Sequence, residues 1–202
     1  MIIGLDFDNT IVKYDDLFHR VALEKNLIPK EIPVNKFEVR NYLRQIGKED
    51  VWTEMQGYVY GARMEEASAY EGAIEFLVWA KTNGHKLAII SHKTKFPFAG
   101  EKHDLHSAAS KWIADNLLVD GEPLFEKENI FFLPTKELKI ARIASYDCDL
   151  FLDDLPEILT ADGFSEKTKK ILFDPEDKHS LPVSSSISKL TSWRQFKDYL
   201  AN

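Results

Sequence analysis

Three short apolar runs of this chain end in side chains that bind cations or anions. Ile2-Ile3-Gly4-Leu5 runs into Asp6-Phe7-Asp8-Asn9-Thr10, two carboxylates one residue apart followed by a hydroxyl. Leu87-Ala88-Ile89-Ile90 ends at Ser91, and Leu150-Phe151-Leu152 ends at Asp153-Asp154. Lys136 and Lys139 lie between the second and third runs. Carboxylates are hard oxygen ligands of the kind Mg²⁺ takes into its octahedron, alongside waters it does not readily give up. Hydroxyl and ammonium groups donate hydrogen bonds to an anion. Acidic pairs are common in loops, so the information lies in their order and in the strand ends they occupy.

Strands must bring these residues together across about 150 positions of sequence. Ile2 to Leu5, Lys86 to Ile90, Ile130 to Leu133 and Asp149 to Leu152 read as buried parallel strands, with Lys170 to Phe173 a fifth. Helical patterns separate them. Ala73, Phe76, Leu77 and Ala80 repeat at helical spacing before the stop signal Asn83-Gly84, and Ala108, Trp112 and Ile113 mark another helix. Leu138, Ala141, Ile143 and Ala144 mark a third. Alternating strands and helices predict an α/β fold with a Rossmann-like parallel sheet covered on both faces. Residues 13–71 break the rhythm, with helical patterning over Leu17 to Leu23, Phe37 to Ile46 and Val51 to Tyr60. They predict an all-helical cap inserted into a core of residues 1–12 and 72–202. Ligands of open parallel sheets bind at the C-terminal ends of the strands, which makes the insertion a candidate lid. Ser184-Ser185-Ser186 predicts a surface loop before a last helix over Ser192 to Leu200.

In this order and context the residues resemble the motifs of the haloacid dehalogenase (HAD) superfamily, over residues 1–12 and 72–175 and only weakly over the insertion. The resemblance implies a magnesium-dependent phosphatase. Asp6 would be the nucleophile and a metal ligand, forming an aspartyl-phosphate. Asp8 would protonate the leaving alkoxide and bind the metal through its backbone carbonyl. Ser91 would hold a phosphoryl oxygen. Asp154 would ligate the metal directly, with Asp153 and Glu157 in support. The third motif calls for a lysine, and Lys136 is favoured over Lys139 because it directly follows the strand end at Phe132-Leu133-Pro134-Thr135. One helical turn separates the two, so phase does not decide between them. A helix N-terminus after Asp6 would add N–H donors. Members that act on carbon–halogen bonds need no acid at the position of Asp8, so its presence favours phosphoryl chemistry.

Thr10, His92, Lys93, Lys139 and Arg63 are the candidate substrate contacts. Lys95 to Gly100 makes a long loop whose Phe96 and Phe98 either pack or line a slot. Trp52, Tyr58 and Tyr60 either face a cleft or fill the insertion's own core. His103, Asp104 and His106 lack a metal signature, and Asp104 reads as a helix cap.

Composition narrows the partners. A 202-residue chain with 44% hydrophobic content can bury one core with a small insertion. A net charge of −7 repels nucleic acid and anionic lipid, which leaves a small phosphorylated metabolite as the expected partner. Cys148 is the single cysteine, and no apolar run reaches membrane-helix length, so a cytoplasmic protein is expected. A phosphotransferase or mutase would share every motif, and a catalytically silent binder of phosphate ligands would share the fold.

Overall fold

The computed structural model describes residues 1–182 and 186–201. Six strands form one parallel sheet: β1 (Ile2–Leu5), β2 (Lys86–His92), β3 (Ile130–Leu133), β4 (Leu150–Asp153), β5 (Lys169–Phe173) and β6 (Ile187–Leu190), in the order β6-β5-β4-β1-β2-β3. β1 lies between β2 and β4, with Leu5 opposite both Ile89 and Leu152. Three of the motif-bearing strand ends are therefore adjacent, although their residues are far apart in sequence.

Eight α-helices accompany the strands among the described residues. They are α1 (Asp15–Glu24), α2 (Lys36–Gln45), α3 (Glu49–Tyr60), α4 (Ala73–Thr82), α5 (Leu105–Asn116), α6 (Lys136–Ser145), α7 (Pro156–Leu159) and α8 (Trp193–Ala201). None is long and apolar enough to cross a membrane. The chain divides into two compact units: residues 1–12, 69–93 and 117–202 form the sheet unit, and residues 13–68 and 94–116 the helical unit.

In the sheet unit, strand alternation sends Ala88, Ile90, Phe151 and Leu172 to one face, where they pack with Ile143 of α6 and with Ile158 and Leu159 of α7. Elsewhere in the unit α4 and α8 meet through stacked Phe76 and Phe196, 4.3 Å between centroids, and Trp193 packs on Phe173. Gly4 has a steric reason to be glycine: a Cβ there would stand 2.6 Å from Phe151 Cδ2 and 2.8 Å from Cys148 Sγ. Cys148 is buried, and burial pushes its thiol up to about 12.

The helical unit has its own core of Phe18, Val21, Val39, Leu43, Trp52, Met55 and Val59. Phe18 packs against Trp52 with ring centroids 5.0 Å apart, and Tyr60 meets the Tyr14 ring edge-on at 4.9 Å, so Trp52 and Tyr60 serve packing. Asp104 accepts the Ser107 N–H at 2.9 Å, capping α5.

The structure departs from the sequence-based expectation in three places. Thr94–Asn116, expected in the core, packs within the helical unit: Trp112 Nε1 donates to Ala67 O at 2.9 Å, and Pro97 and His103 crowd Gly57 and Gly61 of that unit. A sixth strand forms at Ile187–Leu190, where Ile-Ser-Lys-Leu offers only two apolar residues as a signal. Ser184 and Ser185 of the expected loop lie outside the described residues. No helix follows Asp6; Phe7 O accepts both Ile11 N and Val12 N at 3.0 Å, closing a turn, and α1 begins at Asp15.

Candidate active site

Asp6 is the first residue beyond β1 and is buried, its N–H donating to Leu152 O at 2.9 Å. The turn after it places Phe7 in the core and carries Asn9 at φ 57°, a left-handed conformation that asparagine tolerates better than most residues. Thr10 is fully buried. Its carbonyl accepts Trp193 Nε1 at 3.2 Å, while its hydroxyl has no partner among the described residues. Ser91 is buried near the end of β2.

Lys139 is a buried lysine held by two carboxylates. It lies on α6, whose N-terminus is capped by Thr135 Oγ1 accepting the Leu138 N–H at 3.3 Å. Its side chain is 1% exposed, and Nζ donates to Asp6 Oδ1 and to Asp153 Oδ2, each at 2.6 Å. Burial works against the ammonium, but the carboxylates of Asp153 and Asp6 outweigh it and raise its pKa above the usual lysine value. Asp153 is fully buried. Burial pushes its carboxyl up to about 6, with Lys139 opposing the rise and Asp6 adding to it. Its Oδ1 accepts the Leu155 N–H at 2.9 Å, which locks the chain beyond β4.

The expectation that Lys136 fills the lysine position is corrected. Lys136 is 43% exposed and pairs with Glu157 at 2.6 Å, so that neither side chain joins the cluster. The helix starts at Lys136, so its first-turn side chain lies outside while Lys139, one turn on, is buried. Position within the turn decided what distance from the strand end did not.

Lys93 is the second buried lysine. Its N–H donates to Leu133 O at 2.8 Å, and Nζ stands 2.7 Å from Asp8 Oδ2 with only 3% of the side chain exposed. His92 points its Nε2 at Pro134 O, 3.2 Å away. Arg63 belongs to the helical unit, where it pairs with Glu24 at 2.6 Å and with Glu66.

Asp6, Asp153 and Asp154 bring carboxylate oxygens within 4.8 Å of one another, the one such group of potential metal ligands among the described residues. Asp154 is partly exposed and Asp6 and Asp153 are buried. Three carboxylates facing one lysine form a hard, net anionic donor set, which fits a divalent cation such as Mg²⁺.

Comparison with protein-family models finds no match, and neither does comparison with curated proteins. Solved structures do share the fold. A HAD family hydrolase from Deinococcus radiodurans with bound phosphate and sodium aligns with a TM-score of 0.59 at 16% identity, over 99% of this chain and 94% of that one. Magnesium-bound YfnB from Bacillus subtilis gives 0.57 at 17%, over 100% and 98%. A predicted phosphoglycolate phosphatase from Haemophilus somnus gives 0.57 at 16%, over 98% and 97%. The chain has the HAD-like α/β fold. A dehalogenase and an archaeal β-phosphoglucomutase share it too, so the reaction must be argued from the site.

Proposed function

We propose that this chain is a Mg²⁺-dependent phosphatase that hydrolyses a small phosphorylated metabolite through an aspartyl-phosphate on Asp6. One observation carries the reading: Lys139 clamps Asp6 and Asp153 at 2.6 Å each, while Asp8, two residues on, is held by a different lysine. Two carboxylates in separate environments suit two roles.

Asp6 attacks phosphorus in line, and the ester P–O bond breaks with its electron pair on the alkoxide. Asp8 gives that alkoxide a proton. Asp8 then takes a proton from water, whose oxygen attacks phosphorus and releases inorganic phosphate and free Asp6. Lys139 fixes Asp6 and offsets its charge, and Ser91 donates to a phosphoryl oxygen. Mg²⁺ bound by Asp6, Asp153, Asp154 and the Asp8 carbonyl would offset the repulsion between carboxylate and phosphate. The presence of Asp8 favours an alkoxide leaving group over a halide. A small substrate is supported by the resemblance, which puts a helical insertion between the first two motifs, and by the acidic net charge.

The test is phosphate release from a panel of phosphorylated metabolites, with Mg²⁺ or EDTA, for wild type and Asp6→Asn. Mg²⁺-dependent release that Asp6→Asn abolishes is the expected result. Transfer to added alcohols in place of release would make the protein a phosphotransferase. Folded wild-type protein that binds phosphate ligands and turns over none would make it a silent binder.

A further inference from the structure

We infer that Lys93 is a positioning residue for leaving-group protonation, acting through Asp8 rather than on the phosphoryl group. The inference rests on the phosphatase reading above and assigns the second buried lysine of the same site.

A lysine is rarely buried without a partner, and this one is 3% exposed. Its backbone is fixed at the sheet edge by the 2.8 Å bond from its N–H to Leu133 O. Its ammonium lies 5.8 Å from the Phe7 ring centroid, and Phe7 is fully buried against Phe132, 6.1 Å between rings. The side chain therefore reaches Asp8 along a packed path with little rotational freedom. Asp8 itself stands on a turn that includes the left-handed Asn9, with a carboxylate 18% exposed. A carboxylate on a short stem in a turn has torsional freedom, and the 2.7 Å contact to Oδ2 removes it. Lys139 already serves Asp6 and Asp153, so the two lysines divide the carboxylates between them. Proton transfer depends steeply on placement, and a misplacement of about 1 Å can cost roughly a hundredfold in rate.

The two roles open to Lys93 separate by leaving group. An alkyl phosphate needs a proton on its departing oxygen, whereas p-nitrophenolate leaves without one at neutral pH. Turnover of an alkyl phosphate and of p-nitrophenyl phosphate is measured with Mg²⁺ for wild type, Lys93→Met, Asp8→Asn and the double variant. Lys93→Met is expected to lose roughly a hundredfold in kcat on the alkyl ester and only several-fold on the aryl ester. Asp8→Asn should show the same asymmetry, and the double variant should lose little more than Asp8→Asn alone. Equal losses on both esters, with KM raised, would place Lys93 on the phosphoryl group and overturn the inference. Multiplying losses in the double variant would overturn it too. If Lys93→Met does not fold, Lys93→Gln carries the same comparison, because its amide keeps a polar head in the buried site without the ammonium. A wild type inactive on both esters would instead sink the phosphatase reading, and this inference with it. Asp6→Asn abolishing both activities keeps the two failures apart.

Discussion

Replacing Lys139 with methionine keeps an unbranched side chain one atom shorter and removes the ammonium 2.6 Å from both Asp6 and Asp153. At that spacing and an effective dielectric constant of about 20, each attraction is roughly 6 kcal/mol. Desolvation of the lysine and repulsion between the carboxylates offset much of it. Removing one partner of a buried pair usually costs about 3–5 kcal/mol, which in a chain of this size lowers Tm by about 10 °C. The loss should depend on pH. Without Lys139 the Asp153 carboxyl rises further above its present value of about 6. A group whose folded pKa exceeds its unfolded one stabilises the fold below the unfolded pKa, and that stability is lost as pH rises through the folded value. The deficit should be smaller at pH 5 than at pH 8, where the Asp153 contact is lost in addition to the Asp6 one, and Mg²⁺ should narrow it at pH 8. Lys136→Met is the control: an exposed pair with Glu157 is worth at most about 1 kcal/mol. Thermal unfolding at both pH values, with and without Mg²⁺, and phosphate release measure all of this. If Lys136→Met lost activity while Lys139→Met kept both activity and stability, the assignment of the lysine would be wrong.

Three other perturbations follow from the geometry. Because the Asp153 carboxyl is pushed up to about 6, Mg²⁺ must displace a proton at pH 5 but not at pH 8; calorimetry in buffers of different ionisation enthalpy should find proton release and weaker affinity only at the lower pH. Gly4→Ala should cost about 1–3 kcal/mol by urea denaturation, since the added methyl meets the fully buried Phe151 ring at 2.6 Å and Cys148 Sγ at 2.8 Å. Thr135→Ala should cost about 1 kcal/mol and lower kcat as well, because Thr135 caps the helix that aims Lys139. A kcat unchanged in that variant would show that α6 is held by its packing alone.

The parts of this structure legible in the sequence are those where one residue type has one physical use. Ile2 to Leu5 and Leu150 to Leu152 read as central strands because a fully apolar run so short suits burial on both faces, and they lie side by side in the sheet. Amphipathic spacing located α1, α2 and α3 to within two residues at each end. Edges were less legible. β6 alternates Ile-Ser-Lys-Leu, so half of its residues look like loop. The segment 94–116 shows why unit boundaries escape a linear reading: its helix pattern is plain, but the choice of neighbour rests on Gly57 and Gly61, whose missing side chains let Pro97 and His103 approach. Lys136 and Lys139 differ by one turn, and only the exact start of α6 separates them.

Charge accounting ties the site together. Asp6, Asp8, Asp153 and Asp154 gather at strand ends against two buried lysines, Lys93 and Lys139. Were these charges meant only to stabilise the fold, apolar residues of similar volume would serve as well or better, since desolvation cancels most of the gain from buried pairs. The lysines do not neutralise the cluster either; they leave two negative charges, concentrated where Asp6, Asp153 and Asp154 share their oxygens. A negative excess shared by three carboxylates suits a divalent cation. In the proposed phosphatase, a metal held there would let a phosphate dianion approach carboxylates that would otherwise repel it.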